Sequence, residues 1–412
     1  MTQSTCVIIG ASHAGAHLAA CLRQQKWAGR IIVIGDDDRL PYHRPPLSKA
    51  LLAGKQSIDQ LLIRPESFYQ KQNIEFMLNR KVARINRTDK TLQLADGETL
   101  AYDKLALCTG ARVRRLDICG AELKGVHYLR HYRDVENIKT NLDGQRNIVI
   151  VGGGYIGLET AASLRQLGHK VTVIEAAYRV LQRVTAPEVS TFFQRVHQEQ
   201  GIQLVLDKQV AEFVAAKDDP TRSDRVLCTD GSLYPADLII VGIGVRPNVE
   251  LAEQAGLKTA NGIWVNEFAQ TEDPDIVAAG DCTNHPNALL NTRLRLESVP
   301  NAMEQAKSAA ASICEQPIQY AAHPWFWSDQ CDIKLQIAGF NNGYDEVVLR
   351  GDPGVGRSFV AWYLKQNKLI AADCINRPKE FMITKQLLAK QITPEKHLLS
   401  DESVDPKRFL EN

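Results

Sequence analysis

Apolar residues along this chain come in short blocks cut by glycine, and the blocks predict strands that alternate with helices. An apolar strand over Cys6–Ile9 runs into a glycine turn and a helix to about Gln25, and "RIIVIGDD" supplies the next strand. The order returns downstream: strand 147–151, a glycine turn, a helix to about Leu167, a stop at Gly168 and the strand "KVTVIE". Two later blocks echo each other in the same way. "TLQLADGETLAYDKLALCTGA" reads as a hairpin turning at Asp96-Gly97, then a buried strand into Thr109-Gly110. "RVLCTDGSLYPADLIIVGIGVRPN" turns at Asp230-Gly231 and ends its apolar strand in Gly242 and Gly244. A whole segment is duplicated, which predicts two related nucleotide-binding domains.

After Pro247 a short apolar run ends in Gly280-Asp281, and a helix follows over about 299–314. From about Ala322 the pattern changes. Trp325, Phe326 and Trp327 cluster, alternating strands run to about Ala372, and one helix closes the chain. The fold class expected is therefore α/β, with two Rossmann-like nucleotide-binding domains and a C-terminal α+β domain.

The two glycine turns carry the first chemistry. "VIIGASHAGAHLAACLRQ" (7–24) and "VIVGGGYIGLETAASLRQ" (149–166) align position for position. The second holds the full fingerprint, Gly152, Gly154 and Gly157; the first has Gly10 and Gly15 with Ser12 in the middle place. Such a turn lets a pyrophosphate approach the backbone at a helix N-terminus. Ser12 adds only a hydroxymethyl group, so the first site is expected to function. Asp36 lies 21 residues past Gly15 and Glu175 lies 18 past Gly157, where a carboxylate would accept bonds from ribose hydroxyls. A carboxylate at Glu175 also repels a 2′-phosphate, since like charges about 4 Å apart cost about 4 kcal/mol at an effective dielectric near 20. NADH is thus expected over NADPH; the alternative is an ordinary strand-end glutamate.

Composition narrows the classes. The 412 residues imply two or three domains, 44% hydrophobic and 24% charged content is that of a globular protein, and the net charge of +1 points to neither nucleic acid nor membrane. No apolar run reaches the length of a membrane span, and with the first strand beginning by Cys6 no cleaved signal peptide is expected. The nine cysteines form no C-x-x-C and no zinc spacing, so no metal is expected and the thiols read as small core residues in a reducing cytoplasm. Residues 323–412 hold twelve Lys/Arg and twelve Asp/Glu, so no charge bias marks a docking face.

In "HRPPLSKALLAG" (43–54), Lys49 is expected in the first turn of a short helix that Gly54 ends. There it would oppose the helix dipole. From spacing alone it reads as an exposed lysine pointing to water ahead of a functional one, and Glu159 as a plain helix-start glutamate. His13 is expected at the surface.

The stretches "GGGYIGLE", "RPPLSK", "RVLQRVTAP", "AAGDC", "SVPNAMEQA", "PWFWSDQ" and "NRPKEF" together resemble the FAD-dependent NADH:ferredoxin reductases that serve bacterial haem monooxygenases and ring-hydroxylating dioxygenases. The resemblance spans nearly the whole chain. It implies a glutathione-reductase-like architecture: a discontinuous FAD domain (1–109 and 245–322), an NAD domain (110–244) and an interface domain (323–412). It implies FAD contacts at Gly10, Ser12, Ala14, Gly15, Asp36, Arg44, Pro45, Lys49, Val82, Thr109, Gly110, Arg130, Asp281, Val299 and Trp327. NADH would meet Gly152, Gly154, Tyr155, Ile156, Gly157, Glu159, Glu175, Gly242 and Gly244. Lys49 and Glu159 would form an ion pair beside the flavin N5, with Trp327 on the route to a [2Fe-2S] ferredoxin partner; a monomer is expected. Two rivals share the scaffold. A disulfide or peroxide reductase would need a redox cysteine that "RPPLSKALL" lacks. An NADH-sensing flavoprotein resembling apoptosis-inducing factor would share fold and ion pair, and only turnover separates it.

Overall fold

Strands buried on both faces read as unbroken apolar runs, because other elements cover both sides of the parallel sheet. Val7, Ile8, Val149 and Ile150 are all fully buried on this account. The computed structural model describes residues 4–411. They fall into two compact units: one runs from the first described residue to His43 with Ile58–Arg112 and Arg246–Pro324, the other comprises Arg44–Ser57, Val113–Val245 and the chain from Trp325 onward.

The first unit holds a five-stranded parallel sheet in the order Ile276–Ala278, Lys104–Leu107, Thr5–Ile9, Arg30–Ile34, Ile74–Met77. The helices His13–Gln24 and Val299–Ile313 cover one face through Leu18, Leu22, Ala306 and Ala310. An antiparallel meander, Val82–Asn86, Thr91–Leu94 and Thr99–Ala101, belongs to the core on the other face with Val7 and Ile9. Gly97 makes its turn with φ +92°.

The second unit repeats the plan. Its parallel sheet runs Gln203–Val205, Lys170–Ile174, Asn147–Val151, Leu238–Val241, Val126–Tyr128, and its meander is Val210–Ala215, Ser223–Cys228 and Leu233–Pro235. The same unit contains a five-stranded antiparallel sheet in the order Trp325–Gln330, Ile333–Gly339, Lys368–Ile375, Phe359–Lys365, Glu346–Arg350. Trp362, Leu387 and Phe409 share its core.

The fold is α/β with two Rossmann-like domains and a C-terminal α+β domain, as expected. Its C-terminal end differs in detail. The last strand reaches Ile375, and the helix Pro378–Lys390 is followed by a short helix, Lys396–Ser400, and a 3-10 turn, Pro406–Leu410, where one helix was expected. Phe409 explains the addition: it is fully buried, so the tail is anchored by the core it helps to fill. Among the described residues no helix is long and apolar enough to cross a membrane.

Candidate functional site

The first glycine turn is shaped from within. Gly10 has φ +117°, and a Cβ on it would stand 2.1 Å from the carbonyl oxygen of Cys108. A Cβ on Gly15 would stand 1.9 Å from the carbonyl oxygen of Gly10. Neither position admits a side chain. Ser12, between them, is the N-cap in extended backbone (φ −134°, ψ −157°), which any residue adopts, so the serine leaves the turn unstrained. No acidic residue lies in the helix's first turn. The amide ends therefore keep their partial positive charge for an anion. Ala14 adjoins Gly280 (φ +91°), whose Cβ would lie 3.1 Å from that of Ala14, and so brings Asp281 to the turn. Asp36 is exposed, two residues past the end of its strand.

The remaining expected residues of this unit divide. Thr109 Oγ1 donates to the Asn248 carbonyl at 2.7 Å, and the Asn248 amide nitrogen donates to Gly110 at 3.0 Å. The Thr109 hydroxyl thus fastens the returning chain, while its backbone adjoins Gly10. Val299 opens a helix capped by Ser298. Val82 is a core residue among Ile9 and Ile34. His13 is not at the surface: it is 8% exposed, because the His43 ring packs against it with centroids 5.5 Å apart.

The second turn repeats the geometry. Gly152 has φ +111° with its Cβ position 2.5 Å from the Gly242 carbonyl oxygen, and that of Gly157 is 2.1 Å from the Gly152 oxygen. Gly154 differs. Its φ is −81°, and a Cβ there would meet nothing within 4 Å. Among the described residues nothing requires glycine at that place, and the space beside the helix N-terminus is open. Glu175 directly follows its strand and accepts from the Gly153 amide at 2.5 Å and the Ala177 amide at 2.8 Å. Ile156 is 48% exposed beside the turn. Gly244 (φ +97°) offers its carbonyl to the Arg114 amide at 2.9 Å. Tyr155 packs its ring 4.9 Å from Phe326, and burial pushes its phenol pKa well up. Both cradles fit a dinucleotide.

One helical turn beyond Tyr155 stands Glu159, 5% exposed. A buried carboxylate needs partners, since an unpaired buried charge costs several kcal/mol, of order 3–5. Glu159 has three: Lys49 Nζ at 2.8 Å and Ser48 Oγ at 2.6 Å, both on Oε2, and Ser328 Oγ at 2.6 Å on Oε1. Lys49 does not lie in a helix's first turn. The two prolines start a 3-10 turn, Pro45–Ser48, closed by the Lys49 amide on the Pro46 carbonyl at 3.0 Å. The cation therefore sits at the C-terminal end, where the peptide dipoles favour it. Arg44 Nη1 donates to the Arg130 carbonyl at 2.5 Å, and the Arg130 amide donates to Asp134 at 2.8 Å. Arg44, Pro45, Lys49 and Arg130 are thus gathered with Glu159. Trp327 leaves the opposite face of its strand from Ser328 and packs 5.6 Å from Trp325.

Sequence reasoning missed Ser48 and Ser328. Each neighbours a residue already singled out, Lys49 and Trp327, but nothing local says that two hydroxyls 111 and 169 positions from Glu159 in sequence meet its carboxylate.

Residues 4–306 match the pyridine nucleotide-disulphide oxidoreductase family, and residues 325–410 match the reductase C-terminal family. The chain belongs to the pyridine nucleotide-disulphide oxidoreductases. It is 42% identical to putidaredoxin reductase of Pseudomonas putida, over 98% of this chain and 96% of that one. It is 41% identical to a ferredoxin–NAD(P)(+) reductase of a Sphingomonas species, over 100% and 98%. Among solved structures, the covalent putidaredoxin reductase–putidaredoxin complex matches with a TM-score of 0.96 at 42% identity, covering 100% of this chain and 99% of that chain. The protein is an FAD-dependent oxidoreductase of a family that uses FAD and NAD(H).

Proposed function

We propose that this chain takes electrons from NADH and hands them singly, through FAD, to a [2Fe-2S] ferredoxin that feeds a haem monooxygenase or a ring-hydroxylating dioxygenase. The observation that carries the reading is the buried Glu159 carboxylate paired with half-buried Lys49 at 2.8 Å, set one turn past a nucleotide cradle. Bound FAD supplies the conversion between the two-electron hydride of NADH and the one-electron iron–sulfur acceptor.

The chain's own residues do the rest. Gly10, Ser12, Ala14, Gly15, Asp36, Thr109, Gly110, Asp281 and Val299 are assigned to the FAD nucleotide, with Val82 behind them. Arg44, Pro45, Lys49, Arg130 and Trp327 are assigned to the flavin. Glu159 holds the Lys49 ammonium in place at 2.8 Å, so a fixed cation would face the charge that FAD receives when loaded. The NADH cradle is Gly152, Gly154, Tyr155, Ile156 and Gly157, with Gly242 and Gly244 at its edge. Glu175, held by two amides, takes the adenosine ribose and repels a 2′-phosphate. The domains proposed are 1–109 with 245–322 for FAD, 110–244 for NAD and 323–412 for the interface, in a cytoplasmic monomer.

Eight of the nine thiols count against disulfide or peroxide chemistry. A reactive cysteine has a lowered pKa, whereas burial pushes Cys21 and Cys331 up to about 11 and raises Cys108 and Cys374 further. The test is steady-state NADH-driven reduction of cytochrome c with and without a [2Fe-2S] ferredoxin. A large ferredoxin-dependent rate with NADH far better than NADPH is expected. NADH bleaching of the flavin with no acceleration by any ferredoxin of a broad panel would leave the NADH sensor as the better reading.

A further inference from the structure

Behind Glu159 runs a line of buried polar groups that the reaction above does not use. Ser328 Oγ donates to Glu159 Oε1 at 2.6 Å, Gln330 Nε2 donates to Ser328 Oγ at 3.0 Å, and Gln330 Oε1 lies 2.9 Å from His197 Nε2. Ser328, Gln330 and His197 are all buried. One end dictates the direction of every proton. A carboxylate only accepts, so Ser328 must donate to it. The serine oxygen then accepts from the Gln330 amide nitrogen, which turns the Gln330 carbonyl toward His197. His197 must therefore donate from Nε2. Its Nδ1 has no hydrogen-bond partner among the described residues, so nothing there calls for a proton on that nitrogen, and the Nε2–H tautomer is compatible with it. Burial lowers its pKa to about 4, which keeps the ring neutral at physiological pH.

The line also has a geometric foundation. Tyr155 and Glu159 are four residues apart on a helix, a rise of about 6 Å. Phe326 and Ser328 are two apart on a strand, a rise of about 6.7 Å. The near match lets the ring pair Tyr155–Phe326 and the bond Ser328–Glu159 form together, and so sets the strand's register on the helix. Gln330 continues that strand face to His197 on the helix Pro187–Glu199.

We propose that Ser328, backed by Gln330 and His197, is a positioning residue for Glu159: it stops the carboxylate rotating and so keeps Oε2 on Lys49 while hydride arrives from NADH. This rests on the reading of Lys49 and Glu159 as the pair at the hydride-receiving edge of the flavin. Ser48 and Lys49 share Oε2, and Ser328 is the donor on Oε1, so its loss frees the torsion that both depend on.

The test is stopped-flow reduction of the FAD-loaded full chain by NADH, read as a limiting rate and an apparent Kd. Ser328→Ala is expected to lower the limiting rate about tenfold with the Kd unchanged, the factor a hydrogen bond to a charged group supplies. Ser328→Cys, a weaker donor of similar size, should fall between, about threefold down, and Gln330→Leu should match it. Glu159→Gln is run beside them. If Glu159→Gln is slow and Ser328→Ala is as fast as the parent, the positioning role is overturned and the pair reading stands. If Glu159→Gln is itself as fast as the parent, both fall. A raised Kd with an unchanged limiting rate also overturns the positioning role. Should Ser328→Ala retain no flavin, Ser328→Cys decides: an unchanged limiting rate sinks the proposal.

Discussion

The two glycine turns are built alike at their ends and oppositely in one place between. Gly10 and Gly152 each donate to the last strand residue opposite, Ile34 and Ile174, at 2.8 Å. That bond aligns Gly35 with Glu175 and Asp36 with Ala176. In the first turn Ala11 carries the side chain and Gly35 gives way; a Cβ on Gly35 would lie 2.5 Å from that of Ala11. In the second, Gly153 gives way and the Glu175 carboxylate takes the space; a Cβ on Gly153 would lie 3.1 Å from Oε2. One pocket is filled from opposite sides. The acids are therefore not equivalent: Glu175 is clamped to the turn, and Asp36 stands one residue further out and exposed. Counting along the chain could not show this. The strands pair Thr5 with Arg30 but Asn147 with Lys170, and that two-residue difference hides the one-residue shift of the acid.

The comparison breaks most sharply at the third glycines. Gly15→Ala and Gly157→Ala each force a methyl into a carbonyl oxygen and should cost about 2–3 kcal/mol. If the turns serve different nucleotides, Gly15→Ala loses flavin, whereas Gly157→Ala keeps flavin absorbance and loses NADH-dependent reduction; identical outcomes would undo the assignment. Next comes Glu175→Ala. It leaves the Gly153 and Ala177 amides without their acceptor, so the NADH KM should rise on the order of tenfold and the preference over NADPH should shrink. A cofactor preference that does not move would remove Glu175 from specificity. The smallest effects belong to the middle places. Gly154→Ser meets open space at an ordinary φ, so thermal stability should stay within about 0.5 kcal/mol while the NADH KM rises a few-fold, about 1 kcal/mol or less. Ser12→Gly should change flavin retention still less. A large loss of stability in Gly154→Ser would show that the glycine serves the fold rather than the ligand.

The helices that follow the turns diverge in chemistry as well. Position 17 of the first matches position 159 of the second. His17 has its pKa lowered by burial, whereas Glu159 meets a lysine and two hydroxyls. The same backbone thus supports packing in one copy and a charged centre in the other, decided by what the rest of the chain brings against it.

Much of this molecule was legible in its sequence. The duplicated strand–turn–helix units, both hairpins and the third glycines of the turns follow from local rules: apolar runs bury as strands, and only glycine fits where a Cβ would enter the carbonyl oxygen five residues back, as at Gly15 and Gly157. The reach of those rules is a few residues. The surroundings of His13, the side of the short turn on which Lys49 sits, the exchange between Gly35 and Glu175 and the line from Glu159 to His197 all depend on segments far apart in the chain. Only tertiary packing brings such segments within the roughly 3 Å over which a hydrogen bond or an ion pair acts, and so only it decided which polar residues became a site.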